Sequence, residues 1–361
     1  MNPITTASPP LAPDACPQCG THLAPTLLVC PGCRRLVHAQ HLAALAADAQ
    51  AAADAGDTLS ALQRWRSALE LLPSESRQHQ TITQRVIALG REVDASAPST
   101  AGGADPSSSH FDSRGRTSSL LKAAAATGGV ALLLWKFKFI AVGVLSKLKL
   151  LISGLSSGGT VLTMLLSLGV YWTAWGWKFA LGLVLSIYIH EMGHVAALRR
   201  YGISATAPMF IPGLGALIRL RQHPADARED ARIGLAGPVW GLATAAVVWG
   251  VALAMDWPSW AAVAKVGAWI NLFNLLPLGS LDGGRGFRPL STRQRWLAVL
   301  AIFATWYFSD EGLLALIAIV AVIYAAAGTD NPTGDTTALV TFVVLIVLLT
   351  ALSRIPVAVG T

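Results

Sequence analysis
His190-Glu191-Met192-Gly193-His194 places two imidazoles at i and i+4, with a carboxylate beside the first. On a helix the two rings share one face and can grip one metal ion. The adjoining glutamate can then accept a proton from an attacking water. The residues around the motif, from Phe179 to Leu198, are almost all apolar or small. Ionisable groups in a membrane-crossing stretch cost about 3 kcal/mol each at a helix centre, so their presence there points to a functional site.

Two His leave a catalytic zinc one protein ligand short. A third His at 200 would make a metzincin pattern, but Ala197 and Arg200 rule that out. Three sources remain: Glu229 with Asp226 and Asp230 beside it, His223, and Asp282. Asp282 is favoured. If the apolar segments alternate across a bilayer, it returns to the side of the His pair. Pro277 and Gly279 break the chain just before it, so that backbone can turn a carboxylate inward.

A second metal pattern lies in Cys16-Pro17-Gln18-Cys19 and Cys30-Pro31-Gly32-Cys33. Two CxxC knuckles at this separation suit a structural zinc held by four thiolates, with no open position for chemistry. Disulfides would require an oxidising compartment. Nothing in Met1–Ala15, rich in Pro and Ala, reads as a signal peptide.

These residues must be positioned by very different surroundings. The chain of 361 residues is 53% hydrophobic and 13% charged, beyond the usual balance of a soluble protein. Residues 1–118 are polar, whereas 120–361 carry nearly all the long apolar runs. The pattern predicts an all-α polytopic membrane protein with about 6–8 transmembrane helices. A small membrane-associated β-hairpin is expected within 203–220, where Pro208, Pro212, Gly213 and Gly215 interrupt an apolar stretch. The predicted divisions are a zinc ribbon over 1–37, a tetratricopeptide-like helical hairpin over 38–95, a linker over 96–119 and a membrane domain over 120–361. Within that domain an interfacial helix with snorkelling Lys136, Lys138, Lys147 and Lys149 is expected over 120–152. Spans are expected at about 158–175, 177–199, 233–255, 260–279, 293–309, 311–328 and 336–354.

The net charge of +7 fits basic loops against anionic lipid better than nucleic acid, because the Arg and Lys residues cluster beside apolar segments. Arg199-Arg200, Arg228 and Arg232, and Arg285, Arg288, Arg293 and Arg295 fall on one side of alternating spans. Positive-inside makes that side cytoplasmic and puts the His pair about 7–14 Å inside it.

The combination of HExxH, Leu235-Ala236-Gly237-Pro238, and Asn274-Leu275-Leu276-Pro277 followed by Leu281-Asp282-Gly283-Gly284 resembles the site-2 protease family of intramembrane zinc metalloproteases. The resemblance covers about residues 177–290, with Leu281 where some members carry Asn-Pro before the Asp. It implies a three-helix catalytic core, zinc on His190, His194 and Asp282, Glu191 as catalytic base, and cleavage of single-pass membrane proteins. With the ribbon, two zinc ions are expected, one catalytic and one structural. The expected partners are membrane-protein substrates, the lipid bilayer, and a protein bound by the ribbon and helical hairpin. The expected location is the inner membrane of a bacterium, with the N-terminal part and the active site toward the cytoplasm. No periplasmic PDZ insertion is visible. The rival readings are an ion or solute transporter with an intramembrane metal site and a non-proteolytic membrane adaptor. The apolar runs exclude a soluble peptidase.

Overall fold
A computed structural model describes residues 15–24, 27–96, 159–212, 215–217, 222–279, 281–327 and 334–357. The interfacial helix expected over 120–152, and the linker beyond Ser96, lie outside the described residues.

The chain begins with two tight cysteine turns. Cys16 N–H donates to Thr21 O (2.8 Å) and Cys30 N–H to Arg35 O (2.9 Å), closing each knuckle on itself. The residue after each CxxC has a left-handed backbone, Gly20 at φ 72° and Arg34 at φ 58°. Three helices follow: α1 (Ala39–Asp54), α2 (Thr58–Glu70) and α3 (Arg77–Ala95). A two-helix hairpin was the expectation for 38–95. Pro73 and Ser76 instead end one arm and start a third, with the Ser76 hydroxyl accepting from His79 N–H at 3.1 Å. Asp57 caps α2 in the same way through Ser60 N–H at 3.1 Å. The three helices bury a core of their own around Leu42, Leu62, Trp65, Leu72 and Val86.

The membrane part runs α4 (Gly159–Trp175), α5 (Trp177–Arg200), β1 (Met209–Ile211), β2 (Gly215–Leu217), α6 (Ala227–Met255), α7 (Pro258–Asn274), α8 (Asp282–Phe287), α9 (Thr292–Ser309), α10 (Gly312–Ala326) and α11 (Thr336–Ser353). The two strands pair antiparallel, Met209 with Leu217 and Ile211 with Gly215. Helices α5, α6 and α7 pack on one another, and α8 packs against α6. Large apolar side chains remain outside the packing, among them Val161, Leu165, Val247, Leu253, Leu300 and Ile319. Apolar surface on this scale is stable where lipid covers it.

Among the described residues the architecture is mainly helical, with one small two-stranded sheet. The span count is lower than the sequence suggests. Among the described residues three helices are long and apolar enough to cross a bilayer: Trp177–Arg200, Ala227–Met255 and Thr336–Ser353. The reason is length and end composition. Helix α4 has 17 residues, about 26 Å at 1.5 Å per residue, against a hydrocarbon core of about 30 Å. Helix α10 is shorter still, and α9 opens on Arg293, Gln294 and Arg295.

Candidate active site
Helix α5 brings His190 and His194 to one face, both buried, with their ring centroids 4.9 Å apart. The third side chain arrives from a break in the fold. Helix α7 ends at Asn274, and the chain turns through Leu278, whose N–H donates to Leu276 O at 2.7 Å. Gly279 takes a left-handed φ of 56°. The chain then starts α8 at Asp282 so close to the end of α7 that a Cβ on Gly283 would lie 1.9 Å from Leu275 O. Only glycine permits that approach, and the approach is what turns the Asp282 carboxylate inward.

Three donor groups converge. His190 Nε2 lies 3.2 Å from His194 Nε2. Asp282 Oδ2 is 3.2 Å from His190 Nε2, and Asp282 Oδ1 is 3.3 Å from His194 Nε2. Ligands held at about 2.05 Å by one tetrahedral metal ion lie about 3.3 Å from each other. The three separations therefore fit a zinc ion without rearrangement.

The outer nitrogens fix which lone pairs face inward. His194 Nδ1–H donates to Ile233 O at 2.8 Å. His190 Nδ1 meets Asn271 Oδ1 at 2.7 Å, and Asn271 Nδ2 in turn donates to Gly267 O at 2.8 Å. The amide nitrogen is thus committed to the backbone, so the amide oxygen accepts from the imidazole. Both Nε2 lone pairs then point at each other and at a carboxylate, an arrangement that a shared metal ion would satisfy.

Helix α6 presses its backbone on the same spot. A Cβ on Gly237 would sit 2.2 Å from His194 Nε2 and 2.7 Å from His190 Nε2. The space beside both nitrogens is free because residue 237 has no side chain. Glu191 is buried one residue along α5, with His190 and Asp282 as its titratable neighbours.

The other acids and the remaining histidine considered for the third position are engaged elsewhere. Glu229 pairs with Arg66. Asp230 accepts from Arg285 Nε at 2.8 Å and from Arg288 Nη1 at 2.7 Å. Asp226 caps α6 through Glu229 N–H at 2.8 Å, and His223 does not join the cluster of His190, His194 and Asp282. Three contacts have no counterpart in the sequence reading: the Ile233 carbonyl, the Asn271 amide on His190, and Arg66. Asn271 carries a signal, a polar side chain within an apolar helix. A carbonyl carries none.

Asn271→Leu keeps the volume and removes the acceptor from His190 Nδ1. Zinc affinity is expected to fall about 10- to 100-fold, the usual effect of losing such a partner. Competition with a chelator of known affinity measures it, and an unchanged affinity would show that Asn271 serves helix packing alone.

At the N-terminus the four cysteines gather. Cys16 Sγ is 3.7 Å from Cys33 Sγ, and Cys19 Sγ is 3.5 Å from Cys30 Sγ. Thiolates bound at about 2.3 Å to one tetrahedral zinc lie about 3.8 Å apart, so this cluster also fits the ion. All four are free thiols. Hydrogen bonds from the Thr21 hydroxyl and amide, with the neighbouring thiols, hold the Cys19 thiol down to about 6. A low thiol pKa favours the thiolate that zinc requires.

Residues 178–258, from the start of α5 through α6, match Peptidase family M50. The match covers under a quarter of the chain. The chain is 29% identical over 167 residues to a protein named putative zinc metalloprotease Rip3 from Mycobacterium tuberculosis, covering 44% of this chain and 42% of that one. It is 26% identical over 125 residues to a protein named zinc metalloprotease MJ0392 from Methanocaldococcus jannaschii, covering 33% of this chain and 36% of that one. The chain thus spans less than half the length of the curated relatives it matches. No solved structure matches it. The matched segment and, among the described residues, three helices long and apolar enough to cross a bilayer fit an integral membrane protein.

Proposed function
We propose that this protein is a member of the M50 family and an intramembrane zinc endopeptidase that cuts membrane proteins in or near their transmembrane segments. One observation carries the reading: two Nε2 atoms and a carboxylate converge at 3.2–3.3 Å inside packed apolar helices, with Glu191 next to the first histidine. His190, His194 and Asp282 hold the catalytic zinc. Zinc bound there supplies Lewis-acid polarisation of the scissile carbonyl and an activated water. Glu191 accepts the proton of the attacking water and returns it to the leaving amine. Gly237 keeps side chains out of the reaction space. Asn271 and Ile233 O hold the rings in register.

A substrate helix hides its carbonyls in internal hydrogen bonds and must unwind to be cut. The β1–β2 hairpin offers a strand edge for the unwound segment. It is anchored on α4, where Phe210 N–H donates to Thr163 Oγ1 at 3.2 Å. Among the described residues β2 pairs with no third strand.

We assign a structural zinc to Cys16, Cys19, Cys30 and Cys33, and take 38–95 as a helical unit that serves the membrane protease domain. The basic clusters support a cytoplasmic placement for the active-site side and for the helical unit in a bacterial inner membrane. Arg200 Nη2 donates to Val93 O of α3 at 2.6 Å, and Arg285 and Arg288 share Asp230, so the clusters and the helical unit sit at one end of the bundle.

Purified protein in liposomes with a single-pass model substrate tests the reading. Zinc content is expected at about two per chain. His194→Ala should lose one zinc and all cleavage, whereas Cys16→Ser should lose only the other. Cleavage that survives in His194→Ala would discard the assignment.

A further inference from the structure
Arg66 belongs to the N-terminal helical unit, yet every hydrogen bond its guanidinium makes leaves that unit. It is 3% exposed. Its Nε donates to Tyr201 O at 2.9 Å, its Nη1 to His223 O at 3.4 Å, and its Nη2 pairs with the Glu229 carboxylate. Tyr201 is the C-cap of α5, the helix that carries His190, Glu191 and His194. Glu229 lies in the first turn of α6, the helix that carries Gly237, and its second oxygen accepts from Ala225 N–H at 3.2 Å. One guanidinium therefore clamps both ends of the segment 202–226, the connection that bears the β1–β2 hairpin.

Surrounding contacts follow the same line. The Tyr201 hydroxyl bonds Asp94 of α3, and Gln222 Nε2 donates to Glu70 of α2 at 2.6 Å. Gly202, at φ 66°, runs so close to α2 that a Cβ there would meet Gln63 Cγ at 3.1 Å and Leu62 Cβ at 3.3 Å. The helical unit has its own apolar core, so Arg66 is not needed to fold it. A buried ion pair is a poor way to maximise adhesion, since well-packed apolar residues commonly hold as tightly or better. Its strength is geometric: a planar fork with several donors fixes two carbonyls and a carboxylate in one arrangement.

We propose that Arg66 is a positioning residue for the intramembrane site, through which the docked N-terminal helical unit orders the hairpin segment for substrate. Undocking releases both ends of 202–226 at once and leaves the metal ligands in place, because those are carried by α5 and α8 and oriented by Asn271 of α7 and by Ile233 O, a full turn inside α6 from Glu229. The inference rests on the protease reading for its effect on turnover, but not for its effect on the segment itself.

The test compares full-length wild type, Arg66→Met, and the double variant Arg66→Met/Glu229→Leu, with Glu191→Gln as the inactive control. In Arg66→Met, amides of 203–212 and 222–226 should exchange at least about tenfold faster, while the cores of α1–α3 and α5 keep their protection. Zinc content should be unchanged. KM for the membrane substrate should rise about tenfold with kcat within about threefold, the signature of lost pre-ordering. The double variant also removes the Glu229 charge left unpaired, so it should keep the wild-type fold and zinc, yet without the fork it should show the same exchange and KM as Arg66→Met. Unchanged exchange over 203–226 in Arg66→Met would overturn the proposal. So would a general loss of protection, zinc and kcat that the double variant does not recover, since Arg66 would then only hold the fold together. If wild type and Glu191→Gln are equally inert while Arg66→Met still loosens 203–226, the clamp stands and the protease reading falls.

Discussion
Glu191→Gln is expected to abolish cleavage of a single-pass substrate while leaving the zinc in place. Glutamine has the size and shape of glutamate but cannot accept the proton of an attacking water. General-base assistance contributes typically about 10²- to 10⁴-fold, and a decrease of that order in kcat is the expected reading. The metal should remain because its ligands are untouched: His190 and His194 keep their Nδ1 partners, and Asp282 enters from a different helix. Metal analysis and single-turnover cleavage on the same sample separate the two effects. A variant that cleaves like the wild type would remove Glu191 from the chemistry. It would also favour a transporter, for which a neutral isostere at this position is tolerable. A variant that loses its zinc would show that Glu191 supports the metal rather than the proton transfer.

Parts of this site were legible in the sequence because they follow from periodicity. Two His four apart on a helix must share a face, and an apolar helix gives them no partner but each other and a metal. Asp282 needed one more step, the break at Pro277 and Gly279, which tells that the chain turns but not how far. The closeness of that turn depends on Gly283, whose missing side chain lets α8 begin against Leu275. The orienting partners were unequally visible. Asn271 stood out as a polar residue in an apolar helix, whereas the Ile233 carbonyl is a backbone atom that any residue could supply. Arg66 was invisible for a different reason. On an amphipathic helix an arginine reads as solvent-facing, and only the docking of a second unit buries it. The span count was overestimated because composition registers apolarity without helix length. Helices α4 and α10 are as apolar as spans but shorter.

Gly237→Ala should put one methyl group directly against the metal-binding nitrogens. Its Cβ would come within 2.2 Å of His194 Nε2, 2.5 Å of His194 Cε1 and 2.7 Å of His190 Nε2, all far inside van der Waals contact. The imidazoles cannot retreat. His194 is tethered to Ile233 O on the same helix that would carry the new methyl, and His190 is tethered to Asn271 on α7. Either α6 moves away from α5, or a ring gives up its Nδ1 partner. In both cases the metal loses its cage, and the methyl occupies space that the reaction requires. Zinc affinity is expected to fall about 100-fold or more, as when an orienting partner is lost, with cleavage near background. The control is Gly250→Ala on the same helix, where a Cβ would meet nothing within 4 Å. There the exchange should leave zinc and cleavage unchanged and stabilise the helix by about 0.5–1 kcal/mol. The pair of variants differs only in where one methyl lands along α6. Wild-type zinc affinity in Gly237→Ala would mean that α6 does not lie against the histidines as described, and the close three-helix site would have to be abandoned.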